Sequence, residues 1–150
     1  MGSNVLGVKK LNPLARLPEY ATEGSACFDI YGIESSYDEK INALIFSTGL
    51  VFDIPKGKAL MIYSRSGHGF KQDARLSNCV GVIDSDYTGE VKVKIVSDRP
   101  TGEYPAIDPT TAIAQGMIVD APQWQIAEVE TIKDTARGAN GFGSTDKKAK

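Results

Sequence analysis

Histidine and cysteine are scarce in this chain: one of the first, His68, and two of the second, Cys27 and Cys79, in 150 residues. A disulfide framework needs several paired cysteines, and a zinc site needs three or four His or Cys ligands at close spacing. Both are excluded. The two cysteines each lie in an apolar stretch, so buried free thiols in a reducing compartment are expected. His68 has no second histidine or cysteine near it, so no direct chemical role is expected of it. Long apolar runs are also missing, and with them any membrane-spanning helix. The basic-then-apolar pattern of a secretion signal is absent from the N-terminus; a cytoplasmic location is therefore expected. Nor is there a basic excess. The net charge is −2, which argues against a general nucleic-acid binder but leaves room for a small anionic ligand met by local charge.

A 3.6-residue apolar period is equally lacking. In PLARLPEYA any helix is limited to a turn or two by Pro18. What is present instead is a series of short runs rich in Val, Ile, Phe and Tyr, divided by Gly, Pro, Asp and Ser. Strands are predicted at Val5–Lys9, Ala26–Tyr31, Ala43–Phe46, Gly49–Ile54, Ala59–Ser64, Asn78–Ile83, Glu90–Ser97, Ala112–Val119 and Gln125–Val129. DIPKGKA, from Asp53, reads as a hairpin turn. The length suits one domain, and the pattern is all-β: a sandwich, jelly roll or barrel. Residues 97–111 hold three prolines and read as a long irregular connection. The tail from Thr135 to Lys150 is rich in glycine, has little to build a core, and is expected to be mobile.

Five stretches carry residue types suited to chemistry. In GFGST, glycines allow backbone N–H groups to form an anion nest, Ser144 and Thr145 add hydroxyls, and Phe142 offers a face to a base; upstream, Arg137 is suited to clamp a phosphate. A frayed terminus is the plain alternative. In YSRSGHGFK, Arg65, Ser66 and Gly67 suit an oxyanion equally with a polar turn. In SACFDIYG, Asp29 interrupts an apolar strand; it is either paired with an arginine or set near a hydrated cation. In LSNCVGVIDSDYTGEV, Asp84 ends an apolar run, where a fixed carboxylate can deprotonate a water. Tyr87 can lie against a sugar, and Asn78 offers a donor and an acceptor to a base edge. A polar hairpin is the alternative there, with Asp86 and Glu90 as turn and surface residues. In TTAIAQGMIV, Gln115 is the one long polar side chain.

Taken together and in order, these pieces resemble the five motifs of the trimeric all-β dUTP diphosphatases (dUTPases). ATEGSACFDIYG resembles motif one, RSG motif two, LSNCVGVIDSDYTGEV motif three, AIAQ motif four and RGANGFGST motif five. STGLVFDIPKG is similar to the family's connecting segment. The resemblance spans about Ala21 to Thr145.

It implies a jelly-roll or distorted β-barrel core, residues 1–134, and a mobile arm, residues 135–150. It further implies a homotrimer with active sites shared between subunits, and Mg²⁺-dependent hydrolysis of dUTP to dUMP and diphosphate. That reaction limits uracil incorporation into DNA and supplies dUMP for thymidylate synthesis. No direct nucleic-acid or membrane partner is implied, and the location would be the cytoplasm, or the cytoplasm or nucleus of a host cell if the gene is viral.

By resemblance, Asp84 is the base for the attacking water and Tyr87 the floor under the deoxyribose. Asn78, the Gly81–Val82–Ile83–Asp84 backbone and Lys92 face uracil and sugar. Arg65, Ser66, Gly67 and Gln115 hold phosphates. Arg137, Gly143, Ser144 and Thr145 close on the phosphate chain and Phe142 stacks on uracil. Asp29 acts on Mg²⁺ indirectly, through water, or supports the motif-two arginine. The chain departs from the family at Cys27, where a glycine is usual, and at Asn140, likewise. Thr110-Thr111-Ala112 stand where Gly-Asp/Glu-Arg is usual. Two rival readings remain: a dCTP deaminase, which shares the fold, and a nonenzymatic binding protein on the same scaffold.

Overall fold

The structure, a computed structural model, describes residues 4–99 and 105–147. Residues 100–104 of the irregular connection and 148–150 of the arm lie outside the described residues. The described chain is built from strands β1 (Gly7–Lys10), β2 (Phe28–Tyr31), β3 (Glu34–Asp38), β4 (Ala43–Ser47), β5 (Leu50–Asp53) and β6 (Lys58–Tyr63), then a short helix α1 (Ser66–Gln72). After it come β7 (Ala74–Leu76), β8 (Gly81–Ile83), β9 (Lys92–Ser97) and β10 (Ala112–Asp120). Two four-stranded sheets, ordered β2-β10-β6-β8 and β3-β4-β9-β7, and a β1-β5 pair make up the fold. All the ladders are antiparallel. The all-β jelly-roll class expected from the sequence is the class observed.

The core forms where the apolar faces of the sheets meet. Phe46, Ile30, Leu50, Leu60, Ile95 and Ile113 are fully buried. Alternation puts them there: in β9, Val93 and Ile95 are buried while Lys92 and Lys94 are not, the period-2 signature of a half-buried strand. Phe28 stacks on Phe52, with centroids 6.4 Å apart. Gly116 of the central strand β10 faces the same core. A Cβ there would lie 2.8 Å from the Phe28 ring and 3.0 Å from Leu60 Cδ1, so only glycine leaves room for these large neighbours from the adjoining strands β2 and β6.

Several sequence expectations are corrected. No strand forms at Gln125–Val129; the segment is exposed, and no strand of the described chain lies beside it to pair its backbone. The strand expected from Asn78 starts at Gly81, because Cys79 adopts φ 64° and breaks the extended run. DIPKGKA turns at Gly57 (φ 82°) but joins β5 to β6, which belong to different sheets, so it is not a hairpin. PLARLPEYA contains no helix. Cys79 is exposed and Cys27 half-buried, not the buried pair expected. Burial, then the nearby Asp29 carboxylate, pushes the Cys27 thiol above its usual range.

Candidate active site

The stretch GVIDSDYTGEV is not a β-hairpin. β8 pairs with β6, while β9 pairs with β4 and β7. Residues 84–91 therefore carry the chain from one sheet to the other without a ladder of their own. This crossing loop walls a cleft of about 650 Å³ lined by Val82, Ile83, Asp84, Tyr87, Glu90, Val91 and Lys92. Asp84 is exposed at the end of β8, and its carbonyl accepts from the Tyr87 N–H at 3.2 Å. The Tyr87 hydroxyl donates to the Glu90 carbonyl at 2.9 Å, which lays the ring back over Gly89. A Cβ at Gly89 would come within 2.6 Å of the ring carbon Cζ.

Glu90 is not the plain turn and surface residue expected. Its Oε1 accepts from the Gly49 N–H at 2.9 Å. Beside it, fully buried Thr48 donates to the Val91 carbonyl at 2.6 Å. Sequence reading passed over both. STGL, conspicuous as a polar-Gly pair inside an apolar run, was the available signal.

A second cluster lies across one end of the β2-β10-β6 rows. Register puts Gln115 opposite both Asp29 and Tyr63. Gln115 donates to the Ser64 carbonyl at 2.8 Å. Arg65 Nε lies 3.5 Å from Asp29 Oδ1, and Arg65 Nη1 donates to the Ala112 carbonyl at 3.2 Å. The arginine pairing, one of the two sequence alternatives for Asp29, is formed. Ser66 and Gly67 open α1, where first-turn N–H groups have no partner within the helix. The helix escaped sequence reading because Gly67 and Gly69 interrupt it and it buries no residue. His68, in α1, is held below its ordinary pKa by burial and by Arg65, so it is neutral at pH 7.

Where the family's motif-four Gly-Asp/Glu-Arg is usual, a tight turn runs into β10, and buried Ala112 stands in the arginine's place. Asp108 accepts from the Thr110 N–H at 2.8 Å and from its hydroxyl at 2.7 Å. Those two bonds hold the Asp108 carboxyl below the usual carboxylate range.

The two clusters do not meet within one chain. Ile83 is opposite Leu60 in the β8–β6 ladder. Arg65 lies five residues beyond Leu60, and Asp84 continues the other way. At the usual rise per strand residue that is more than about 17 Å of separation. Arg65 also turns toward β2 and β10, away from β8. Asn78 sits exposed in the turn before β8. The arm residues Arg137, Phe142, Gly143, Ser144 and Thr145 are exposed, and the hydrogen bonds of the segment stay inside it, such as Arg137 Nε to the Asn140 carbonyl at 2.8 Å. Among the described residues, no group of three or more His, Cys, Asp or Glu stands ready to hold a metal ion.

A family model described as dUTPase matches residues 14–146. The deoxyuridine 5'-triphosphate nucleotidohydrolase of Nautilia profundicola is 42% identical over 142 residues, covering 95% of this chain and 99% of that one. The enzyme of the same description from Wolinella succinogenes is 38% identical over 138 residues, covering 92% and 91%. Among solved structures, a mutant of the Staphylococcus bacteriophage 80alpha dUTPase with dUpNHpp superposes with a TM-score of 0.83 at 26% identity, covering 95% and 99%. A mutant dUTPase from phage phi11 of S. aureus, described with a structural Mg(II) ion, superposes with a TM-score of 0.75 at 24% identity, covering 85% and 98%.

Proposed function

The chain belongs to the dUTPase family and is a dUTP diphosphatase, a hydrolase, and from that premise we propose that it cleaves dUTP by attack of water on the α-phosphorus. The observation that carries this reading is the crossing-loop cleft, where Asp84, the Tyr87 ring and Lys92 face one space. Asp84 takes a proton from the water as its oxygen bonds to the α-phosphorus. The bond from that phosphorus to the bridging oxygen breaks, and diphosphate leaves. Tyr87 forms the floor under the deoxyribose. Asn78 and the backbone of Gly81, Val82 and Ile83 read uracil. A methyl group in place of hydrogen on the ring is a discrimination worth about 1–3 kcal/mol when a rigid wall meets it.

The wide separation of Arg65 from Asp84 supports a site shared between copies of a homotrimer. One copy supplies the Asp84–Tyr87 cleft, and another supplies Arg65, Ser66, Gly67 and Gln115 for the phosphates. Exposed Trp124, Ile126, Val129 and Ile132 precede the arm, and an apolar series of this kind suits packing on another subunit. The arm, residues 135–150, would then close a site, with Arg137, Gly143, Ser144 and Thr145 on the phosphate chain and Phe142 on uracil.

When bound, Mg²⁺ would neutralise charge on the departing diphosphate. The donor set fits such an ion. Asp29 gives Oδ1 to Arg65, which leaves its other oxygen for a water of the hydrated metal, and Mg²⁺ commonly relies on substrate phosphates and waters. The product, dUMP, would serve thymidylate synthesis, and removal of dUTP would limit uracil in DNA.

The test is diphosphate release from dUTP, dCTP, dTTP and UTP in parallel, with and without EDTA. Release from dUTP alone, abolished by EDTA, is the expected result. Ammonia from dCTP would identify a deaminase instead, and dUTP binding without release would leave only a binding protein. Tyr87→Ala removes the proposed floor under the sugar. The dUTP-over-UTP preference is then expected to fall by about 10–100-fold, through new turnover of UTP. An unchanged preference would remove Tyr87 from sugar selection.

A further inference from the structure

The crossing loop faces a mechanical problem. It carries the proposed base and the proposed sugar floor, yet no ladder joins its two flanking strands. Its internal bonds are two, the Tyr87 N–H to Asp84 and the Tyr87 hydroxyl to Glu90. Neither ties it to the rest of the molecule. The bonds that do are at its far end, and go to the turn between β4 and β5 and to Leu50, the first residue of β5.

That turn is rigid. Thr48 is fully buried; its Oγ1 donates to the Val91 carbonyl and accepts from the Leu50 N–H at 3.1 Å. Val91 N–H donates to the Leu50 carbonyl at 2.9 Å. Gly49 takes φ 65°, and a Cβ there would stand 3.0 Å from Ala15 Cβ and 3.1 Å from Ile33 Cδ1. The turn is thus hydrogen-bonded and packed on both sides.

We propose that Glu90 is a positioning residue: its carboxylate latches the crossing loop to Gly49 and so sets the height of the Tyr87 ring in the cleft. The chain of contacts is short. The ring rests on Gly89, its hydroxyl is bound to the Glu90 carbonyl, and the Glu90 side chain is bound to Gly49. Without that side chain, the N–H of buried Gly49 loses its acceptor. Residues 87–90 then hold to the body only through Asp84 at one end and Val91 at the other. The selectivity readout rests on the proposed dUTP reading; the latch itself does not.

The experiment compares wild type, Glu90→Ala and Glu90→Gln in dUTP and UTP hydrolysis, with amide hydrogen exchange followed at Gly49 and Tyr87. For Glu90→Ala, the dUTP-over-UTP preference should drop about tenfold, mainly through KM for dUTP, with kcat little changed. Exchange at Gly49 and Tyr87 should quicken about tenfold or more. Glu90→Gln keeps an oxygen that accepts from Gly49 and should restore both. Unchanged preference and exchange in Glu90→Ala would overturn the proposal. So would a Glu90→Gln as impaired as Glu90→Ala, which would assign the effect to negative charge. If wild type did not hydrolyse dUTP at all, the exchange comparison would still decide the latch, so the two failures are separable.

Discussion

Replacing Asp84 with asparagine is expected to leave dUTP binding intact and to cut turnover about 10²–10⁴-fold, the usual worth of a positioned general base. The substitution keeps shape and one hydrogen-bonding oxygen but removes the ability to accept a proton. It does not disturb the backbone. Ile83 remains paired with Leu60, and the Asp84 carbonyl still accepts from Tyr87. Removing a negative charge close to a triphosphate should, if anything, tighten binding. Single-turnover hydrolysis measures the first effect, and calorimetry with a nonhydrolysable dUTP analogue measures the second. Lost binding together with lost turnover would make Asp84 a structural residue. Near-normal turnover would take the base role from it.

The reading of the sequence reached the fold class because strand period survives in the residues themselves. Val91-Lys92-Val93-Lys94-Ile95 alternates in sequence and alternates in burial. It missed β3 because ESSYD is an edge strand with mostly exposed residues, so no apolar face marks it. It missed β7 because three residues are too few to show a period. The site was legible in part for a related reason. Asp84, Tyr87 and Lys92 are close in sequence and meet in one cleft.

Connectivity was harder. A turn with apolar runs on both sides reads the same whether it joins neighbours in one sheet or crosses between two. On that ground DIPKGKA reads as a hairpin and a polar hairpin is the alternative for GVIDSDYTGEV, yet both cross. The misreading hid the importance of Glu90. A hairpin is held by its own ladder, whereas a crossing loop needs an outside anchor, and the anchor Gly49 lies 41 residues away in sequence. Likewise, nothing local shows that Arg65 and Asp84 stand far apart on opposite ends of one sheet. That follows only from the β8–β6 register.

Ending the chain at Ala136 should produce the second large loss. Phosphate-side charge stabilisation is the term removed, and losing such donors costs about 10²–10³-fold in turnover. The fold should survive. Among the arm's described residues the hydrogen bonds are internal, Phe142 is fully exposed, and Gly138 and Gly143 turn the segment with φ 53° and 88°. A stretch with no packing on the body contributes little to its stability, so the thermal midpoint and oligomeric state of the shortened protein should match those of the full chain. Closing the arm costs chain entropy, which glycine makes larger. The gain that offsets it is available only when a triphosphate is present for Arg137, Ser144 and Thr145 and a base for Phe142. The arm should therefore be open without substrate and ordered with it. Phe142→Trp reports this directly, through a fluorescence change when a nonhydrolysable dUTP analogue is added. Full activity in the shortened chain, or a silent tryptophan, would count against closure. An inactive but unfolded product would instead place the arm among the elements that hold the body together.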